Sequence, residues 1–369
     1  MRLDRYVLAG LIALAAPAGL AQERGPGQEQ AQRPPLPAPV TTRHELALPD
    51  RRLAYDATVE AYTLSDDAGK PLAEVSTISY RLADASAERP VTFFFNGGPG
   101  AASAFLNLGG LGPKVLATTE DGRPQGADGR LIDNPHSWLA WSDLVFVDPV
   151  GTGLSRPLGE DGKGFWSVEG DIRAAGAALR LWLTRQGRWP SPKYLVGESY
   201  GGFRAAKLAA HLYDEHGIGL AGLVLVSPVV DFATIARGDG TLLLPDALRL
   251  PSIAAVARRH GKGAENDDLE AVERFALGEY LTALAAPEPP DAVLARLARL
   301  TGLPEDSVRE RRGRLSAGLV ADELLEAEAL AVSAYDGAVA GPAAPRRGSR
   351  VDPGFDPAVQ AVAAAFNGL

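Results

Sequence analysis

The stretch that most narrows what this chain can fold into is Lys193-Tyr-Leu-Val-Gly-Glu-Ser-Tyr-Gly-Gly202. Tyr194, Leu195 and Val196 form a short apolar run suited to a buried strand, and Gly202–Leu212 (GFRAAKLAAHL) has helical spacing with small residues at its start. Gly197 and Gly201 bracket Ser199 in the pattern G-x-S-x-G. A strand that turns this sharply into a helix leaves no room for side chains beside the turning residue, so glycine is expected two positions to either side. The turn holds the Ser199 hydroxyl out at the top of a sheet. It also aims the first N–H groups of the helix at the space beside that hydroxyl, where an oxyanion would develop. The bare pattern also occurs in plain structural turns. The strand before it and the helix after it favour a nucleophile.

Three further apolar runs, Val91–Phe95, Leu144–Val147 and Leu223–Val226, have the continuous character of strands buried on both faces. Helical patterns lie between them, chief among them Gly170–Gln186. Buried strands alternating with helices predict a mainly parallel sheet with right-handed crossovers. Apolar–polar alternation over 44–64 and 73–84 predicts antiparallel hairpin strands at one edge. The class is α/β, and with the serine corner the arrangement expected is an α/β-hydrolase core over 41–232. After about Asp231 the composition shifts to Ala, Leu, Arg and Glu at helical spacing, over 245–279 and 291–330, with Pro287-Glu-Pro-Pro290 between. A helical insertion is expected over 233–341, of the kind that caps a hydrolase site, with the core resuming over 342–369.

The two ends and the overall charge limit the compartment and the partners. Arg2 and Arg5, the apolar run Tyr6–Ala16 and the small residues Gly19-Leu-Ala21 predict a secretory signal peptide over 1–21, cut after Ala21; an uncleaved anchor is the alternative. Residues 22–40, rich in Gln, Pro and Gly, read as a disordered leader. Export to a bacterial periplasm or the medium is expected, with no membrane contact once the signal is removed. A net charge of −9 without any Lys/Arg block argues against nucleic acid. The chain has no cysteine, which excludes disulfides, a thiol nucleophile and cysteine-held metal. No metal or cofactor is expected.

The second informative stretch is Phe93-Phe-Phe-Asn-Gly-Gly-Pro-Gly-Ala-Ala-Ser103, a buried strand that ends directly in Asn96-Gly-Gly-Pro-Gly100. Glycines there let backbone N–H groups approach a ligand, and Pro99 stiffens the loop. A plain tight turn is one alternative. A phosphate loop is another, weakened because no Gly-Lys-Ser/Thr follows. This loop, the segment Asp133-Asn-Pro-His-Ser-Trp138 with Val147-Asp-Pro-Val-Gly-Thr-Gly-Leu-Ser155, and Gly197-Glu-Ser-Tyr-Gly-Gly202 occur in that order. Together they resemble the serine carboxypeptidase family, α/β-hydrolases that remove the C-terminal residue of peptides. The resemblance runs from about Val91 to Asp231 and more loosely into the helical segment beyond.

Carried over position by position, the resemblance implies that Ser199 is the nucleophile and that the N–H groups of Gly98 and Tyr200 form the oxyanion hole. It implies that Asn96, the N–H of Gly97 and Glu198 hold the free α-carboxylate of a peptide substrate. Two carboxyls within hydrogen-bonding distance do not both stay ionised at low cost, so Glu198 and the substrate would share a proton. Phe94 stands where many members carry tryptophan, and Ala101 and Ala102 replace the usual Cys-Ser or Ser-Ser. With the missing disulfides, these departures point to a bacterial branch.

A serine nucleophile needs a histidine base and a carboxylate to orient it, in the chain order Ser, Asp or Glu, His. Of His44, His136, His211, His216 and His260, only the last three follow Ser199. His211 lies three turns up the helix and points away; His216 and His260 read as surface helix ends. Asp231 follows the fourth apolar run, but the resemblance gives it no catalytic role. The 28 residues after Gly341, with one more helix read over Phe355–Phe366, fall short of the roughly 30 or more that one strand–helix–strand unit needs. The expectation is that the triad Asp and His are not in this chain, that it is inactive or nearly so, and that its sheet ends in an uncovered apolar edge. Two other readings stay open: an acyltransferase or esterase on the same scaffold, and a non-catalytic remnant that binds peptide C-termini.

Overall fold

A computed structural model describes residues 36–119, 129–159, 162–234, 242–264, 268–333 and 336–343. The expected signal peptide, most of the leader and the helix read over Phe355–Phe366 lie outside the described residues.

The chain opens with three long strands, β1 (Val40–Ala47), β2 (Arg52–Ser65) and β3 (Pro71–Leu82), and continues into β4 (Val91–Phe95). A small hairpin of β5 (Lys114–Leu116) and β6 (Leu131–Asp133) precedes β7 (Asp143–Val147) and the two-residue β8 (Arg156–Pro157). Helix α1 (Val168–Arg185), β9 (Lys193–Glu198), helix α2 (Tyr200–His216) and β10 (Gly222–Val226) follow. The main sheet has the order β1-β2-β3-β7-β4-β9-β10, with β8 attached to β3. β1, β2, β3 and β7 pair antiparallel in turn, and β7, β4, β9 and β10 are parallel. This is the sheet of an α/β-hydrolase. β4 lies between β7 and β9, so the chain leaves it in one direction for β7 and then crosses to the other side for β9. A crevice opens beyond the carboxyl ends of strands at such a reversal.

Residues of β4 alternate between two apolar layers. Phe93 and Phe95 pack with Trp182, Leu179, Leu208 and Leu212 of the two helices, while Phe94 packs with Phe146, Val196 and Leu139 on the other face. That double cover is why the inner strands read as continuous apolar runs. Helix α1 starts where Ser167 Oγ accepts the Gly170 N–H at 3.1 Å, with Glu169 and Asp171 in its first turn. Helix α2 ends at Gly217, whose φ of 62° closes it in the left-handed conformation.

One strand departs from expectation. Leu223, Val224, Leu225 and Val226 of β10 are 41, 37, 43 and 39 % exposed, not buried on both faces. The reason is position. Among the described residues β10 is last in the order and pairs only with β9, so neither of its faces receives the cover that β4, β7 and β9 have.

From Asp231 the described residues form a second compact unit. It holds α3 (Leu244–Arg259), α4 (Leu269–Phe275), α5 (Leu281–Ala285), α6 (Asp291–Thr301), α7 (Glu305–Glu310) and α8 (Ala317–Glu323), then a hairpin of β11 (Leu330–Val332) and β12 (Ala340–Pro342). It has its own core, including Leu250, Phe275, Tyr280, Leu294, Leu297 and Leu300. The Tyr280 hydroxyl is buried within it and donates to Gly313 O at 2.7 Å. The hairpin is absent from the sequence reading, because strands of three residues are too short for alternation to register.

Candidate active site

β4 and β9 are neighbours in register, with Phe95 opposite Gly197, so the loops leaving their carboxyl ends meet. Ser199 sits at the corner between β9 and α2 with φ 58° and ψ −121°, a strained backbone for a residue with a side chain. Its neighbours explain how the corner closes. A Cβ on Gly197 would overlap Gly201 O, and one on Gly201 would overlap Phe95 O. The glycine loop lies directly against the serine. A Cβ on Gly97 would stand 2.7 Å from Ser199 Cβ and 3.0 Å from Tyr200 N. Gly98 has φ 108°, and the Gly98–Pro99 peptide is cis.

Beside the serine, Glu198 Oε2 accepts hydrogen bonds from Asn96 Nδ2 at 3.3 Å and from the Gly97 N–H at 3.2 Å. Asn96 is buried, and its Oδ1 accepts the Leu106 N–H at 3.0 Å, which fixes the amide with its NH2 toward Glu198. The residues singled out from the sequence therefore converge: Asn96, Gly97 and Glu198 form one hydrogen-bonded group, and Gly97, Ser199 and Tyr200 are packed backbone to backbone. Phe94 fills the layer beneath, stacked on Phe146 with ring centres 4.5 Å apart and edge-on to Trp138 at 6.0 Å. Ala102 is buried.

The two histidines of α2 lie away from the corner. His211 and His216 meet edge to face at 5.2 Å on α2, against Gly176 of α1. Twelve residues of helix separate His211 from Ser199, roughly 18 Å along the axis. Burial, with His211 and Arg180 nearby, lowers the His216 imidazole below its ordinary value. In the second unit, His260 Nε2 is hydrogen-bonded with Gly337 O at 2.8 Å. His44 is bonded with Thr42 and stacked on Tyr55, while the His136 N–H donates to Asn134. Asp231 is exposed, and its Oδ1 accepts the Ala233 N–H at 2.9 Å.

Two features had no place in the sequence reading. Asp148, within the Asp-Pro-Val-Gly segment, is half-buried and accepts from Ser103 N at 2.9 Å, Ser76 Oγ at 3.3 Å and the Leu154 N–H. Burial pushes its carboxyl up to about 6 in spite of those donors. Ser103 Oγ in turn donates to Phe94 O and Val147 O, so this carboxylate and hydroxyl tie the end of the glycine loop to β4 and β7. The second is Arg204 on α2, fully buried against Asp171. A buried arginine leaves no mark in a sequence. For Asp148, the signal was an acid directly after an apolar strand.

Among the described residues, no group of three or more His, Cys, Asp or Glu is placed to hold a metal, and no helix is long and apolar enough to cross a membrane.

Residues 79–244 match the family described as serine carboxypeptidase. A retinoid-inducible serine carboxypeptidase of Rattus norvegicus is 32% identical over 190 residues, which cover 49% of this chain and 37% of that protein. Serine carboxypeptidase-like 35 of Arabidopsis thaliana is 28% identical over 165 residues, covering 42% of this chain and 32% of the relative. The chain thus spans about a third of the length of these curated relatives. A crystal structure of a prohormone-processing carboxypeptidase from Saccharomyces cerevisiae overlays with a TM-score of 0.40 at 18% identity, covering 66% of this chain and 53% of that one.

Proposed function

Residues 79–244 match the serine carboxypeptidase family, and on that likeness we propose that the chain belongs to it and that its core is built to cleave the last peptide bond of a substrate with a free C-terminus. Ser199 Oγ is the nucleophile. It attacks the carbonyl of the final peptide bond, and the N–H groups of Gly98 and Tyr200 take up the charge on the tetrahedral oxygen. The carbon–nitrogen bond breaks, the C-terminal amino acid leaves, and water then hydrolyses the ester on Ser199. Asn96, the Gly97 N–H and Glu198 receive the substrate's α-carboxylate, which fixes the register so that only the last bond reaches the serine.

The observation that carries this reading is the group beside Ser199: a carboxyl, a side-chain amide and a backbone N–H, bonded to one another and packed against the nucleophile. A general esterase has no need of an acid there. An acid that shares a proton with an arriving carboxylate recognises a chain end. The segment 1–21 is read as an export signal to the periplasm or medium, and the helical unit after Asp231 as an inserted cap.

His211 is far up α2 and His216 packs with it, so neither serves Ser199 as base. We infer that this chain by itself is inactive or nearly so, with only the weak residual catalysis that an oxyanion hole supplies without its base. A fluorophosphonate probe tests this. Labelling of Ser199 is expected to be slow and far below one equivalent, and absent in Ser199→Ala. Rapid stoichiometric labelling of the wild type would show that a working base is present.

A further inference from the structure

The proposed chemistry leaves unexplained a buried cation directly behind the glycine loop. Arg204 is 1 % exposed. Its Nε donates to Asp171 Oδ2 at 2.8 Å, and its Nη1 donates to the carbonyl oxygen of Asn96 at 3.0 Å. The guanidinium lies 5.1 Å from the centre of the Tyr200 ring and 5.6 Å from that of Phe95. The peptide unit whose oxygen it holds is Asn96–Gly97. The N–H of that same unit donates to Glu198 Oε2 at 3.2 Å.

We propose that Arg204 is a positioning residue for the carboxylate subsite, acting through the Asn96–Gly97 peptide, with the cation on its oxygen and the acid on its N–H. This rests on the reading of Asn96, Gly97 and Glu198 as the place where a substrate's chain end binds. Two effects follow from the geometry. The bond to Asn96 O fixes the plane of a peptide that glycine at 97 would otherwise leave free to turn, so its N–H stays aimed at the subsite. A positive charge at the oxygen also draws electron density through the amide, making the N–H a stronger donor toward a carboxylate, and the screening is weak because the group is buried.

The surroundings fit this role. Asp171 neutralises the guanidinium, so no lone charge is buried, and it sits in the first turn of α1, where the helix end favours an anion. Arginine suits the position better than lysine. One planar fork reaches Asp171 and Asn96 O together, whereas an ammonium reaches them as a point charge.

The test compares the wild-type chain with Arg204→Met/Asp171→Asn, which removes cation and anion together, and with Arg204→Lys as a milder variant should the first not fold. Two quantities are read: the Gly97 amide proton resonance in the free protein, and the ratio of affinities for one short peptide as its free acid and as its C-terminal amide. In both variants the Gly97 resonance is expected to move upfield. The preference for the free acid is expected to fall about tenfold in the double variant, with affinity for the amide unchanged. A Gly97 resonance that does not move, or equal losses for both peptides in a folded variant, overturns the proposal. If the wild type itself does not distinguish the two peptides, the carboxypeptidase reading fails instead. The resonance, which needs no ligand, then still decides whether Arg204 acts on the loop.

Discussion

Glu198 and Asp148 are two acids held in opposite ways. Glu198 is half-buried beside Ser199 and is bonded by Asn96 and Gly97. In the proposed complex it shares one proton with the substrate's carboxylate, so binding of a free-acid peptide weakens as the pH rises and that proton is lost. Glu198→Gln carries an amide that donates at every pH. Its affinity is expected to persist to higher pH than the wild type's, and superimposable affinity–pH curves would remove this role. Asp148 is half-buried between the loop and the strand ends, and the prediction for it concerns stability. Its folded value of about 6 lies above the ordinary 3.8 because burial disfavours the charge. The folded protein therefore binds that proton more tightly than the unfolded chain. This contribution to stability is complete below about pH 4 and is lost as the pH rises through 6, a change of up to about 3 kcal/mol. Asp148→Asn should flatten that part of the curve in denaturant unfolding followed from pH 4 to 7. A slope equal to the wild type's would mean that another group titrates there.

The strand–corner–helix unit was legible in the sequence because sterics leave it few solutions: glycines at 197 and 201 are needed wherever backbone passes that close. Three of the four apolar runs gave the inner strands β4, β7 and β9 for a similar reason, since a strand covered on both faces has no polar side to show, while the fourth, β10, is half exposed. What stayed hidden was pairing across distance. Nothing local in β10 reveals that it lies last in the order, and nothing near Arg204 reveals that its guanidinium bonds a loop more than a hundred residues earlier. The closeness of the loop after β4 to the corner after β9 is likewise a property of the sheet. It can be tested with two glycines. Gly97→Ala brings a methyl within 2.7 Å of Ser199 Cβ and should cost about 1–3 kcal/mol while disturbing the serine. Gly109→Ala meets nothing within 4 Å and should be close to neutral. Equal unfolding midpoints for the two variants would show that the loop does not press on the corner.

At the scale of the molecule, the described sheet is asymmetric. Its β1 side is a run of antiparallel strands with charged side chains outward, such as Arg43 paired with Asp56 and Arg52 with Glu45. Such charges blunt an edge against pairing with another chain. Among the described residues the β10 strand carries no such charges. Four successive apolar residues are each about two-fifths exposed, on both faces, and Val230 just beyond them is 85 % exposed. Among the described residues β10 pairs only with β9, and a parallel edge with apolar faces is a template for association, because another strand would pair with its backbone and cover its side chains at once. The chain is therefore expected to self-associate with concentration. Leu225→Lys places a charge where the side chain is already 43 % exposed. It should shift sedimentation toward the monomer at unchanged secondary structure, since a lysine stem still covers part of the apolar surface while its ammonium stays in water. Association that persists unchanged in Leu225→Lys would move the contact away from β10 and leave this edge without a role in assembly.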